Sequence, residues 1–286
     1  MFICPNCGNK HDVCTSASCP CGYEVISQDG LIIWHSFASD INYGAEGFGV
    51  LNAHEDKYFW FRARTALLIW CLKKYFPGFC SILDIGCGTG FVLSKISEEF
   101  SKAKLYGSDI FIEALKIAQG KLSPASVLMQ MDARKIPYQD EFDVIIACDV
   151  LEHIQEDELV LENFARALRP GGGIILTVPQ HPWLWSKADD EAQHVRRYTA
   201  SELPEKVGKA GFKILLNTSF VSLLLPALLL SRLRTKGGNN PQSDEFEISP
   251  GLNKVLGKIM DIERWLIIHG LRFPMGGSRL VVAQKM

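Results

Sequence analysis

The sequence predicts a doubly wound α/β fold with a seven-stranded, mostly parallel sheet. Three observations carry this expectation. Short apolar segments alternate with amphipathic helical segments from residue 81 to the C-terminus. Several of the apolar segments are hydrophobic at every position, as strands buried on both faces are. A glycine-rich turn joins the first such strand to the first helix.

In order, strands are expected at 81–85, 104–110, 126–131, 142–147, 174–178, 212–218 and 279–284, with helices at 90–100, 111–121, 158–168 and 201–210. Ile112, Leu115 and Ile117 space one helical face. Pro170-Gly171-Gly172-Gly173 and Gly211 stop the helices before them. An aromatic, arginine-bearing helix is expected over 54–76, ended by Pro77-Gly78. Residues 219–278 interrupt the alternation as a helical insertion between the sixth and seventh strands. It contains an apolar run at 220–231, a polar loop at 237–250 and a helix near 252–269. A connection this long inside a compact domain calls for a functional reason.

Residues 1–30 are rich in Cys, Gly and Pro. Five of the nine cysteines lie there: Cys4, Cys7, Cys14, Cys19 and Cys21. Cys4-Pro-Asn-Cys7-Gly has zinc-knuckle spacing, and Cys19-Pro-Cys21-Gly supplies a second pair. The expected ligands of a structural zinc are Cys4, Cys7, Cys19 and Cys21. Because the second pair is closer than usual, Cys14 or His11 remains an alternative for the fourth. The expected organisation is a zinc-ribbon-like segment at 1–30, a linker and cap helix at 31–80, and a catalytic domain at 81–286.

Apolar residues make up 47% and charged residues 22%, ordinary for a soluble globular chain. A formal net charge of −2 disfavours nucleic acid as a partner. The sequence shows no signal peptide, which points to the cytoplasm and to thiols kept for metal. The run at 220–231 is too short to span a bilayer, contains Pro226, and is followed by Arg232, Arg234 and Lys236. It reads as a buried helix or cavity lining, with peripheral membrane contact through 220–234 as the alternative and no transmembrane segment.

The turn Asp84-Ile85-Gly86-Cys87-Gly88-Thr89-Gly90 carries the most chemistry. A backbone that approaches a ligand closely needs residues without a Cβ, which Gly86, Gly88 and Gly90 provide. The G-x-G-x-G spacing lacks one residue of the dinucleotide pattern, and Asp84 suits a ligand with an ammonium and a sulfonium better than a pyrophosphate. Asp109, followed by Ile110, ends the second strand, where an acid accepts from ribose hydroxyls. Asp132-Ala133 follows the third strand, placed to read an adenine amino group, and Cys148-Asp149 follows the fourth. Carboxyl ends of strands are where doubly wound sheets bind ligands.

Together with Phe142-Asp-Val-Ile-Ile, Val150-Leu-Glu-His-Ile154 and Leu168-Arg-Pro-Gly-Gly172, this text resembles the class I S-adenosylmethionine (SAM)-dependent methyltransferases from residue 82 to about 210. Thr177-Val-Pro-Gln-His-Pro-Trp-Leu-Trp185 and His194-Val-Arg-Arg-Tyr-Thr199 resemble a bacterial and archaeal subgroup with a zinc-ribbon-like N-terminus. The resemblance implies a Rossmann-like methyltransferase fold with SAM as cofactor, with Cys87 in its glycine turn. It also implies a pre-strand helix that closes over SAM, with Phe61 and Arg62 near it and Arg62 facing its carboxylate; a packing helix with exposed Arg tips is the alternative.

His153 and His194 are the candidate catalytic groups. Asp149-Val-Leu-Glu152-His153 with a later histidine is similar to runs that bind a divalent metal in small-RNA 2′-O-methyltransferases and ubiquinone-pathway O-methyltransferases, so a second metal is a further expectation. The acceptor is expected to be a small or lipid-like molecule held by the insertion, with Trp183–Trp185 opposite. A ribosomal-RNA methyltransferase and a non-catalytic SAM-binding regulatory protein are the alternatives.

Overall fold

A computed structural model describes residues 2–4, 6–11, 19–34, 45–235 and 248–286; Cys14 and most of the expected polar loop at 237–250 lie outside them. The seven expected strands are present as β5 (Ser81–Ile85), β6 (Lys104–Asp109), β7 (Val127–Gln130), β8 (Phe142–Cys148), β9 (Leu168–Pro179), β10 (Phe212–Phe220) and β11 (Ser278–Lys285). β5 is buried at every position, as its uninterrupted hydrophobicity requires.

Two further strands, β3 (Ile26–Gln28) and β4 (Leu31–Ile33), widen the sheet to nine in the order β10-β11-β9-β8-β5-β6-β7-β4-β3. Neighbours from β9 through β4 are parallel. β11 runs antiparallel between β9 and β10, and β3 is antiparallel to β4. Strand order reverses at β5 and β8, and that switch point opens the crevice where ligands bind.

The structure differs from the expected linker at residues 31–33. Ile32 and Ile33 pair with Met129 and Gln130, so this segment caps the β7 edge that would otherwise expose an unpaired ladder. Trp34 then packs on Phe2 and edge-on to Tyr138, with its indole N–H 3.4 Å from the Met129 sulfur. Three apolar residues in a row were too short a signal to separate from a linker. At the N-terminus itself, β1 (Phe2–Ile3) and β2 (Lys10–His11) form a small antiparallel pair.

Helices cover both sheet faces. On one side Val160 and Phe164 of α5 (Asp157–Ala167) and Leu203 and Val207 of α7 (Glu202–Lys209) join the core. On the other, the core is built from α2 (Phe59–Tyr75), α3 (Phe91–Glu99) and α4 (Ile112–Lys121) through Leu68, Leu72, Leu93 and Leu115. α1 (Ala45–His54) precedes α2, so the helix expected from residue 54 begins at Phe59 after a turn.

The insertion holds α8 (Leu225–Thr235) and α9 (Pro250–Ile268). α9 packs along α2, and Asn253 joins the two by accepting from the Phe59 N–H at 2.8 Å and donating to the Lys57 carbonyl at 2.7 Å. Glu263 accepts both the Ser222 and Leu223 N–H groups at 2.7 Å, tying the start of the insertion to α9. Leu224, Met260 and Ile267 are buried in the core while Leu223, Leu229 and Leu230 are exposed. The apolar run therefore serves both core and surface. Among the described residues no helix is long and apolar enough to cross a membrane.

Candidate functional site

The glycine turn after β5 is held open from beneath. Gly86 and Gly88 have φ of 67° and 53°, a conformation that costs any other residue about 1–2 kcal/mol. A Cβ on Gly86 would sit 2.5 Å from a Val150 methyl, whereas one on Gly88 would meet nothing within 4 Å. The Gly88 N–H donates to Asp109 at 2.9 Å and the Phe111 N–H to the same carboxylate at 3.0 Å. Cys87 is fastened by its N–H to the Ser108 carbonyl at 2.9 Å. Asp109 thus braces the turn from the end of β6, with its acidity weakened by burial.

Asp84 is 2% exposed, and its side chain forms no hydrogen bond or ion pair among the described residues. Burial pushes its pKa up to about 7, with Arg64 opposing and Asp109 adding to the shift. A buried carboxylate without a partner, beside a glycine turn with open space, fits a ligand whose amino-acid end is cationic. SAM has such an end.

The remaining residues expected around the cofactor also sit at strand ends. Asp132 caps the turn Ala133–Lys135 by accepting the Arg134 N–H at 2.8 Å, and it pairs with the same residue's guanidinium at 2.8 Å. Ala133 is buried, and the Ile110 carbonyl accepts from Gln130 at 2.8 Å. Cys148 is half-buried at the end of β8.

The N-terminus of α2 departs from expectation. Phe61 is buried but Arg62 is exposed, because the inward stripe of the helix runs through positions 61, 64, 65 and 68. Arg64 takes the inward place instead. Its guanidinium lies 4.4 Å over the Trp60 ring and pairs with Asp149, whose backbone sits at φ 56°. Burial raises the Asp149 pKa while Arg64 opposes the rise.

Sequence reasoning also missed Glu55. It is 3% exposed, pairs with Lys121 and accepts from the Thr89 hydroxyl, so it clasps the glycine turn. In sequence it stands in the polar run His54-Glu55-Asp56-Lys57, which reads as a solvated turn.

Beyond β8, Leu151–His153 form a single 3-10 turn. Glu152 is fully buried, and neither carboxylate oxygen has a hydrogen-bond partner among the described residues. Burial, then the neighbouring Asp149, push its pKa well above the usual range. His194 Nε2 lies 3.9 Å from Oε1. His194 Nδ1 is 2.9 Å from Asp189, which also accepts from Arg197 at 2.7 Å. His153 is exposed with its ring centred 4.7 Å from that of His194. Donor atoms of Glu152, His153 and His194 lie within 4.8 Å of one another.

These groups border a cavity of about 370 Å³. Its lining combines the aromatic stretch Tyr58–Phe61 at the start of α2 with the carboxylates of Asp149, Glu152 and Asp189, and with His194 and Arg197. From the insertion come Val221 and Leu228. Trp183 and Trp185 do not line it. They are exposed, with the Trp185 indole donating to Asp190 at 2.9 Å, and short α6 (Lys187–Glu191) supplies the wall expected of them.

At the N-terminus, Cys4, Cys7, Cys19 and Cys21 bring four sulfurs within 4.8 Å of one another. The Cys4–Cys21 and Cys7–Cys19 separations are 3.6 and 3.4 Å. A tetrahedral zinc with Zn–S bonds of ~2.3 Å needs edges of about 3.8 Å. The four thiolates fit that ion with little movement. His11 stands 3.2 Å from the Cys19 sulfur, outside the set of four.

Residues 83–176 match the family model described as a methyltransferase domain. The chain is 27% identical over 123 residues to the ubiquinone biosynthesis O-methyltransferase of Sodalis glossinidius, covering 41% of this chain and 49% of that one. It is 34% identical over 101 residues to a phosphatidylethanolamine N-methyltransferase of Cereibacter sphaeroides, covering 33% and 48%. The chain therefore spans about half the length of these curated relatives. Among solved structures, phosphoethanolamine N-methyltransferase 2 of Haemonchus contortus, bound to SAM, superposes with a TM-score of 0.57 at 19% identity, covering 86% of this chain and 58% of that one. That likeness shows the fold.

Proposed function

We propose, from the premise that residues 83–176 form a class I SAM-dependent methyltransferase domain, that this chain transfers the methyl group of SAM to a small or lipid-like acceptor held in the cavity beneath the insertion. The observation that carries the reading is the shared border of the two sites. Asp149, at the end of β8 and beside β5, is tied through Arg64 to the cofactor side and also forms part of the cavity lining.

SAM, when bound, supplies an electrophilic methyl on a sulfonium. The chain's own residues do the rest. Gly88 leaves open space for the methionine end, Gly86 lets the turn pass against Val150, and Asp84 receives the ammonium. Asp109 and Asp132 stand at the ends of β6 and β7 for ribose and adenine. Phe61 and Arg64 close the cradle from α2, while Val221 and Leu228 give the cavity an apolar side. Catalysis by such a site comes chiefly from holding the acceptor in line and keeping water out. His194 faces the cavity with Nδ1 fixed by Asp189, which leaves Nε2 to receive a proton. The four N-terminal thiolates would hold a structural zinc, leaving no open position for substrate.

Exposed Leu223, Leu229 and Leu230 around α8, with Ile262 and Trp265 on α9, support an acceptor with an apolar portion, met in the cytoplasm or at a membrane surface. Incubating the purified chain with methyl-labelled SAM and cell extract, then separating RNA, protein, lipid and small molecules, tests the reading. Label is expected in the lipid or small-molecule fraction. Label in RNA alone would select the nucleic-acid alternative, and no label in any fraction would select a non-catalytic SAM-binding role.

A further inference from the structure

We infer that the acceptor is an amine with an apolar substituent, received as an ammonium between the Glu152 carboxylate and His194 Nε2. The inference rests on the methyltransferase reading above and adds the chemical class of the acceptor.

The charges of the cavity single out Glu152. Three carboxylates face it. Asp149 is matched by Arg64, and Asp189 by Arg197 and His194. Glu152 is fully buried and, among the described residues, is paired with no Lys or Arg and leaves both oxygens unbonded. A carboxylate so placed is costly to ionise unless a cation arrives with the ligand. Its pKa, driven upward by burial, reflects the same shortage of partners. His194 adds a second acceptor: with Asp189, itself held anionic by Arg197, accepting from Nδ1–H, the lone pair is on Nε2, 3.9 Å from Glu152 Oε1.

The aromatic wall favours the same ligand. Rings of Phe59, Trp60 and Phe61 border the same space as the carboxylates of Asp149, Glu152 and Asp189, a combination that binds organic cations through ring faces and carboxylates together. Trp60 already holds one cation, the Arg64 guanidinium. Val221 and Leu228 add apolar side chains to the lining, which suits an amine carrying an apolar substituent.

The chemistry balances with the groups present. The ammonium gives one proton to His194 Nε2 and regains its lone pair. That pair forms the new N–CH3 bond as the S–CH3 bond of SAM breaks, and the breaking pair returns to sulfur and discharges the sulfonium. The product is the N-methylammonium and S-adenosylhomocysteine, and the proton on His194 leaves to water.

The test compares decylamine with decanol on the full chain saturated with S-adenosylhomocysteine, by calorimetry, and then by label transfer from methyl-labelled SAM. Decylamine is expected to bind saturably at least tenfold tighter than decanol and to be methylated. Glu152→Gln should lose at least tenfold in decylamine affinity while binding S-adenosylhomocysteine as before. His194→Gln should keep decylamine binding within a few fold and lose methylation.

Equal affinity for decanol and decylamine would overturn the inference without any variant. So would unchanged decylamine binding in a folded Glu152→Gln protein, or tight uptake of Mn²⁺ alone that depends on Glu152, His153 and His194. In each case retained S-adenosylhomocysteine binding leaves the methyltransferase reading standing. Failure of the unmodified chain to bind S-adenosylhomocysteine would remove both.

Discussion

Replacing Arg64 by Met should destabilise the protein through the carboxylate it leaves behind. The guanidinium side chain is 10% exposed and that of Asp149 22%, so water reaches the pair only in part. Two unit charges at ~4 Å in an effective dielectric of about 20 attract by about 4 kcal/mol. Deleting one member of a buried pair typically costs about 3–5 kcal/mol, because the survivor stays desolvated. Loss of the guanidinium from the Trp60 face adds about 0.5–1 kcal/mol, whereas the Met side chain keeps most of the buried apolar volume. Allowing for the partial exposure of Asp149, the expected loss is about 3 kcal/mol.

Asp149→Asn in the Arg64→Met background removes the stranded charge and should restore about half of that loss. Urea denaturation of the wild type, both single variants and the double variant closes the cycle, with a coupling energy of about 1.5 kcal/mol or more. If Arg64→Met lies within about 0.5 kcal/mol of the wild type, or if the two changes simply add, Arg64 is not the counter-ion of Asp149 and this account of α2 fails.

Three further outcomes follow from the same geometry. Gly86→Ala should unfold little of the protein yet lose SAM affinity at least tenfold, read by calorimetry, since its Cβ would press Val150 at 2.5 Å and strain a backbone at φ 67°. An acid whose folded pKa of about 7 lies above its ordinary value of 3.8 favours the folded state while protonated, so the contribution of Asp84 to stability should decline as pH rises from about 4 to about 7. SAM affinity should rise over pH 6–8 as Asp84 ionises, and this dependence should flatten in Asp84→Asn. Cys4→Ser with Cys7→Ser should abolish the one zinc expected per chain by elemental analysis. It should also speed hydrogen exchange at the Ile3 and Trp34 amides, which bond to Pro137 and Gln130 carbonyls, with β5 and β8 still protected.

The parallel sheet was legible because its strands are long, apolar and separated by clear stop signals. β5, β6 and β8 appear within a residue or two of where hydrophobicity places them. The acids at their ends were legible for the same reason, since a strand end fixes where a residue sits. Pairings between distant segments were not. Nothing in Leu31-Ile32-Ile33 announces β7 as its neighbour, and nothing in Glu55 announces Lys121. Arg62 and Arg64 are chemically identical in the sequence, and only the phase of α2 against the sheet turns the second inward. The apolar run at 220–231 likewise could not reveal which of its leucines face Met260 and which face solvent, because that division depends on α9, packed from further along the chain.

The most direct test of the central claim is a calorimetric titration of SAM into the purified chain beside Asp84→Asn, in buffer at pH 8. The account predicts saturable binding at one site per chain, at least tenfold weaker in the variant, because the buried carboxylate that receives the ammonium is gone. No heat of binding to the unmodified chain, or equal affinity in both proteins, would contradict the assignment of the β5 turn as the SAM cradle.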